Sequence, residues 1–168
     1  MTISMYSASV PVFVRMLGNL SGWLDKAEAH AGTKKFDPAV LIGARLAPDM
    51  LPLAKQVQIA CDAAKLAVAR LSGVDAPKFE DSETTMAELK ERVQKTLAYI
   101  RSVPAAQLDG TDAKPITVPR RDGSIVVEGE PYLKHFALPN FFFHVTTAYA
   151  LLRHNGVELG KGDYLGAA

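Results

Sequence analysis

The sequence contains a single cysteine, Cys61, so the chain cannot form a disulfide within itself. A lone cysteine fits a reducing compartment. The opening residues also lack a basic segment followed by an apolar run, which is the pattern of a secretory signal peptide. We therefore expect the protein to be cytoplasmic.

A surplus of either charge is also missing, because 19 Lys and Arg stand against 18 Asp and Glu, a formal net charge of +1. Proteins that bind nucleic acid carry a basic excess against the phosphates, and anionic membranes attract polybasic segments. No apolar run reaches about 20 residues, the length that a membrane-spanning helix needs. The sequence thus predicts neither nucleic acid nor a membrane as a partner.

What the chain does have is enough apolar sequence for a core. It is 168 residues long and 48% apolar, which suits one globular domain. We predict a single domain over residues 1–168, with a C-terminal tail that packs on it through Tyr164 and Leu165.

Four long segments carry apolar residues spaced three and four apart, the period of an amphipathic helix. Capping residues, prolines and glycines mark where they start and stop; Thr85 and Glu88, for example, form a capping box. The predicted helices run from between Ser4 and Ser9 to about Ala31, from near Pro48-Asp49 to Ser72, from Thr85 to about Val103, and from Leu138 or Pro139 to His154.

Residues 113–129 follow a different pattern. Ile116 to Val118 alternates in polarity, Asp122-Gly123 is a turn signal, and Ile125 to Val127 follows, which predicts a β-hairpin. The fold class is therefore an all-α four-helix bundle with a small β-hairpin inserted between helices 3 and 4. The alternative is an irregular α+β domain in which this hairpin joins further strands.

The fourth helix is apolar on nearly every side, from Phe141 to Leu152. A helix of this kind is enclosed on all sides. Either the hairpin and loops cover its outer face or a second subunit does. We favour a homodimer, because a helix in a four-helix bundle normally keeps one face in water.

Three stretches are distinctive: Leu138 to Gly156, Gly160 to Gly166, and Ser9 to Phe13. Together they resemble DUF1993, a bacterial family of unknown function, over essentially the whole chain. That family is grouped with the DinB/YfiT-like four-helix bundles. The resemblance implies an up-down-down-up bundle, usually dimeric. In metal-binding members three histidines hold a divalent ion, one near the start of the second helix and two at i and i+4 on the fourth.

Carried onto this chain, the resemblance implies a degenerate metal site. The second-helix position falls at or near Asp49, and the fourth-helix pair falls on Asn140 and His144. Only one of these is a histidine, although Asp49 and Asn140 offer oxygen ligands to a hard cation. Gln56, seven residues after Asp49, and Thr147, one turn after His144, would line the same pocket.

Two interpretations of these residues stay open. They line a polar pocket for a small molecule, or they form a buried hydrogen-bond cluster that fixes helix packing, because an unpaired buried polar group costs about 1–3 kcal/mol. The leading hypothesis is a non-catalytic or small-molecule-binding dimer in which a divalent metal is not favoured. The alternative is a metal-dependent enzyme of hydrolase or thiol transferase type with a cation at Asp49, Asn140 and His144. A third is a purely structural interaction protein.

Overall fold

The computed structural model describes residues 3–166; the opening two residues, included in the signal-peptide prediction, and the last two of the predicted domain lie outside it. Helices occupy most of this range, and one hairpin interrupts them. The helices are α1 Val10–Lys34, α2 Ala39–Ile42, α3 Leu53–Ser72, α4 Met86–Ser102, α5 Gly129–Tyr132, α6 Leu138–His154 and α7 Lys161–Leu165, with a 3₁₀ turn at Ala105–Gln107 and a π turn at Leu133–Ala137. The strands are β1 Pro115–Arg120 and β2 Gly123–Glu128.

The four long helices α1, α3, α4 and α6 pack around one apolar core. Helices α1 and α3 each contact both α4 and α6, so α1 and α3 face each other across the bundle. Among the described residues, no helix is both long enough and apolar enough to cross a membrane.

The connection between α3 and α4, residues 73–85, runs back along the bundle and is called the crossover loop below. Near its start, the hydroxyl of Tyr99 at the end of α4 donates to the carbonyl of Val74 (3.0 Å). Near its end, Asp81 pairs with Lys55 in the first turn of α3 (2.9 Å). Helix α4 therefore starts beside the start of α3, and the two helices are parallel.

The other neighbours are antiparallel. Lys90 near the start of α4 pairs with Asp25 in the second half of α1 (2.9 Å). Arg70 at the end of α3 donates to Tyr132 before α6 (3.1 Å), whereas the first half of α3 meets the middle of α6. These directions give the up-down-down-up order, so the predicted fold class is confirmed.

Helix α3 begins at Leu53, later than the predicted start near Pro48-Asp49. Pro52 holds an extended backbone (φ −71°, ψ 167°) and caps the helix, because a proline fits only its opening positions. The segment before it is a loop, in which the N–H of Leu53 donates to the carbonyl of Ala44 (3.0 Å). Asp49 consequently lies in this loop rather than on the helix.

The bounds of α6 agree with the predicted Leu138–His154. Helix α5, the π turn and α6 follow one another without a break. The π turn ends two residues before Pro139, which has no N–H to donate to the carbonyl of His135. A wider turn at this point accommodates the proline within one long helical run.

The hairpin pairs β1 with β2 antiparallel, from Pro115 opposite Glu128 to Arg120 opposite Gly123. Its loop is therefore Arg121-Asp122, one residue earlier than predicted, and Gly123 closes it with φ 130°. Buried Ile116 and Val118 hold β1 on the helices. Within residues 3–166 the sheet has two strands only, so the α+β alternative is wrong.

The tail packs on α1 through one of its two predicted anchors. The ring of Tyr164 stacks on Trp23, with centroids 5.6 Å apart, and the indole N–H donates to the carbonyl of Asp163 (3.0 Å). Leu165 is 54% exposed, so its predicted role as an anchor is wrong. A five-residue helix buries only one side, and Tyr164 occupies that side.

Candidate functional site

His144 lies where the middle of α6 meets the first turns of α3, and only 8% of its surface is exposed. Its Nδ1 is 2.8 Å from Oε1 of Gln56 on α3. The amide nitrogen of Gln56 in turn donates to the carbonyl oxygen of Leu51, 3.0 Å away. We call this chain of two hydrogen bonds the His144 relay.

The relay fixes where the imidazole carries its proton. The carbonyl of Leu51 can only accept, so the amide nitrogen of Gln56 must face it and the amide oxygen must face His144. That oxygen also only accepts, so Nδ1 of His144 holds the proton. Burial lowers the pKa of His144 below its ordinary value of 6.5, which favours the neutral ring. Nε2 is then an acceptor that no hydrogen bond within residues 3–166 uses.

Of the other predicted pocket residues, Thr147 lies beside His144 but its hydroxyl is used locally. It donates to the carbonyl of Phe143, four residues back, at 2.7 Å. This bond is common for a threonine inside a helix. Asn140, one turn before His144 on the same helix face, is half-buried, and its side chain makes no hydrogen bond to another described residue. Asn140 and His144 are therefore the groups on this face that remain able to bind a ligand.

Asp49 occupies a different environment from the one predicted. It is exposed and lies four residues before α3 begins, with no hydrogen bond to His144 in the described structure. Its predicted position at the start of the helix is wrong because Pro52, not Pro48, sets that start. The structure therefore brings Gln56 and His144 together, whereas Asp49 faces solvent.

The donors near His144 do not fit a three-ligand metal centre. Among residues 3–166, no three His, Cys, Asp or Glu side chains lie close enough to hold one ion. One imidazole nitrogen and one amide oxygen remain, and catalytic zinc sites use three protein ligands. The described residues around His144 do not add a third ligand. A cation held by Asp49, Asn140 and His144 stays a prediction.

An apolar groove of about 480 Å³ runs along the outer face of α6 beside this site. We call it the α6 groove. It carries no charged side chain and is lined by Leu46, Phe142, Phe143, Thr146, Thr147 and Ala150. Thr147 is shared with the face that holds His144, and the ring of Phe143 lies perpendicular to the imidazole, with centroids 5.1 Å apart. Phe143 is 57% exposed, so this side of α6 is not enclosed within one chain.

A second polar feature, missed by the sequence analysis, lies under the crossover loop. Arg92 on α4 is buried, with 2% of its surface exposed, and so is Lys65 on α3, with 4%. The guanidinium lies within 3.1 Å of carboxylate oxygens of Asp62, Asp81 and Glu83. We call these residues, together with Gln58 and Phe79, the Arg92 cluster.

The cluster joins the crossover loop to both parallel helices. Nη1 of Arg92 donates to the carbonyl of Glu80 (3.1 Å), and Gln58 donates to Glu83 (2.8 Å). Phe79 covers the two cations, with Lys65 Nζ 4.3 Å from the ring centroid. Burial alone would lower the pKa of Arg92, but the neighbouring carboxylates raise it above its ordinary value. The arginine is therefore a permanent charge that holds the loop down.

The cluster also lies over the one cysteine. Gln58, Asp62 and Lys65 share a face of α3 with Cys61, which is fully buried. Burial raises the pKa of the Cys61 thiol to about 12, against a smaller opposite effect of a hydrogen bond with Thr96. The thiol is therefore an inert core group, and no nucleophile is formed here.

The similarity of this chain to known proteins agrees with its architecture. Residues 5–165 match the sequence model of the family described as "Domain of unknown function (DUF1993)". A crystal structure of a DinB family member protein from Shewanella denitrificans is 47% identical and superposes with a TM-score of 0.90. That match covers 97% of this chain and 92% of the other. No curated protein matches the sequence. The chain therefore belongs to the DUF1993 family and has the DinB-like four-helix fold.

Proposed function

We propose that this protein is a non-catalytic, homodimeric bundle that binds a small molecule at His144. The observation that carries the proposal is the His144 relay. A neutral imidazole is held in one tautomer by Gln56, and its Nε2 is directed away from that bond. An oriented acceptor of this kind selects a ligand that donates a hydrogen bond.

The α6 groove supplies the second property of the proposed ligand. Its lining is mainly aromatic and aliphatic, with two threonines and no charge, so it favours an uncharged, apolar body. Phe143, perpendicular to the imidazole, lies at the border between groove and acceptor. The ligand class is therefore an apolar molecule with a hydroxyl or N–H group.

Phenol is a suitable probe, because it combines an apolar ring with one O–H donor, and toluene is its matched partner without the donor. One net hydrogen bond contributes about 1–1.5 kcal/mol, or roughly a factor of ten in Kd. We expect phenol to bind about tenfold more tightly than toluene, as measured by titration of backbone amide shifts. His144→Leu should remove this difference, and His154→Leu, at the exposed end of α6, should retain it. Equal affinities of wild type for the two compounds would refute the proposal.

The proposed dimer uses the exposed side of α6. Phe143 is 57% exposed and Leu46 is 38% exposed, and such apolar surface in one groove is typical of an interaction site. A second copy covering the groove would place the ligand at the border of the subunit interface. This would also enclose a helix that is apolar on nearly all sides.

Sedimentation velocity at micromolar concentration tests the dimer. We expect Phe143→Ser to shift the protein to monomer, because it removes the largest exposed apolar side chain of the groove. Val40→Ser is the control, since Val40 is 62% exposed but lies outside the groove. A wild-type monomer, or an unchanged dimer in the Phe143 variant, would rule out this interface.

The second candidate is the metal-dependent enzyme, and one observation favours it. Histidines that bind metals usually donate their other ring N–H to a neighbouring oxygen, as His144 does to Gln56. Elemental analysis of purified wild type and His144→Ala separates the two proposals. One equivalent of metal that is lost in the variant would support the enzyme and contradict the first proposal. The cytoplasmic location stays a prediction.

A further inference from the structure

The Arg92 cluster contains buried polar atoms that make no hydrogen bond to other groups of the described structure. Four buried side-chain atoms have no hydrogen-bond partner within the described structure: Gln58 Oε1, Asp62 Oδ1, Arg92 Nε and Arg92 Nη2. They belong to three neighbouring side chains, one on α4 and two on α3. Leaving a buried polar group without a hydrogen bond is energetically costly, so four such atoms in one place favour a common partner.

The identities of these atoms are fixed by their neighbours. Gln58 donates through its amide nitrogen to Glu83, whose carboxylate only accepts, so the free atom of the amide is the oxygen. Asp62 Oδ1 lies 2.7 Å from Lys65 Nζ and 3.1 Å from Arg92 Nη2. Both contacts are ion pairs by their distance, but neither has the angles of a hydrogen bond. The cluster therefore offers two free acceptors and two free donors.

The charges around these four atoms restrict the chemical type of the partner that can bind them. Arg92 and Lys65 contribute two positive charges, and Asp62, Asp81 and Glu83 contribute three negative ones. The three carboxylates would repel an anion, and the buried guanidinium and buried ammonium would repel a cation. A neutral partner with two donors and two acceptors matches the site, and water is the smallest molecule of this description.

We propose that one ordered water molecule binds inside the Arg92 cluster, between Gln58, Asp62 and Arg92. It donates to Gln58 Oε1 and Asp62 Oδ1 and accepts from the Nε–H and Nη2–H of Arg92. A cleft of about 300 Å³ borders the cluster and is lined by Arg92 on α4 and by Phe79 and Glu83 of the crossover loop. With this water, every polar atom of the cluster has a partner, and the loop is joined to α3 and α4 by a complete network.

Oxygen-17 magnetic relaxation dispersion in H₂¹⁷O measures the number of water molecules that stay bound longer than nanoseconds. Arg92→Met removes both donors and should lower the dispersion amplitude by one long-lived water. Gln58→Leu removes one acceptor with less disturbance of charge and should give the same loss. Lys55→Met is the control, because Lys55 pairs with Asp81 at the exposed rim and touches none of the four atoms.

Amide spectra of each variant verify that it is folded, and Gln58→Leu carries the test if Arg92→Met does not fold. An amplitude in wild type equal to that in a folded Gln58→Leu protein would overturn the proposal. A crystal structure in which Arg92 Nε and Nη2 bond directly to Asp62 or Gln58, with no water between them, would overturn it as well. A water peak within hydrogen-bond distance of all three side chains would support it.

Discussion

Replacing Gly129 with alanine should destabilise the fold strongly, because a methyl group there has no space. A Cβ built on Gly129 would lie 2.0 Å from the carbonyl oxygen of Thr111 and 3.1 Å from its carbonyl carbon. It would also lie 3.3 Å from a methyl group of Leu71 on α3. Ordinary van der Waals contact begins at about 3.4 Å, so the backbone at Thr111 must move by more than 1 Å.

Backbone atoms cannot turn aside as a flexible side chain can, so the expected cost lies at the upper end for overpacking, about 3 kcal/mol. For a chain of this size, each kcal/mol shifts Tm by about 2–4 °C, which predicts a decrease of about 6–12 °C. Gly18→Ala is the matched control. Gly18 is exposed in the interior of α1, and a Cβ there meets nothing within 4 Å. This substitution should stabilise the protein by about 0.5–1 kcal/mol, because glycine is a poor helix residue.

Thermal unfolding by circular dichroism and urea titration measure both variants against wild type. The same chemical change, glycine to alanine, should therefore lower the stability at position 129 and raise it at position 18. A Gly129→Ala protein with a Tm within 2 °C of wild type would show that the close approach to Thr111 is not a constraint. A destabilised Gly18→Ala protein would show that α1 has a contact at this position that the structure lacks.

Three further predictions concern single side chains. Because burial lowers the pKa of His144, the unfolded chain binds more protons than the folded one below about pH 6.5, and stability should fall as the pH falls through the folded pKa. His144→Gln, which keeps a donor for Gln56, should show a weaker decrease in urea titrations between pH 7.5 and 5.5. Cys61, with its thiol pKa raised to about 12, should not react with Ellman's reagent at pH 8 until urea unfolds the protein, and rapid native labelling would contradict its burial. Thr85→Ala should cost about 1 kcal/mol, because the Thr85 hydroxyl accepts from the Glu88 N–H (3.2 Å); an unchanged urea midpoint would contradict the cap.

Membership in a family of DinB-like bundles does not identify the reaction or ligand of this protein, because one fold hosts many functions. Function must be argued from the site, and here the donor set is reduced to His144 and Asn140. What the structure retains is the oriented histidine. The proposals for this chain therefore rest on the His144 relay and the α6 groove rather than on its relatives.

Capping and turn residues predicted the helix and hairpin ends that depend only on neighbouring residues in the sequence. The capping box of Thr85 and Glu88 fixed the start of α4, and both of its hydrogen bonds are present. The hairpin was predicted from a turn signal between two β-branched runs. The start of α3 was wrong because two prolines, at 48 and 52, can each open a helix, and the choice between them depends on the contact of Leu53 with Ala44.

The candidate site was predicted less completely than the fold. Helical periodicity placed His144 and Thr147 on one face and suggested Gln56 opposite. It could not show that Gln56 turns its oxygen to the imidazole, since this depends on the carbonyl of Leu51. The Arg92 cluster was not predicted, because the polar pattern of α4 puts Arg92 beside the exposed face and its burial depends on contacts with α3 and the crossover loop.

The sequence by itself determined the four long helices, the hairpin between the third and fourth of them, and the apolar stripes that form the core, because periodicity and capping act within a few residues. Tertiary structure alone decided which polar groups are buried and what they bond to. Arg92 is buried because the crossover loop, which connects two parallel helices, must lie over it. His144 is an oriented acceptor because α3 and α6 are antiparallel neighbours. The pair of His144 and Gln56 joins residues 88 positions apart, which no local pattern encodes.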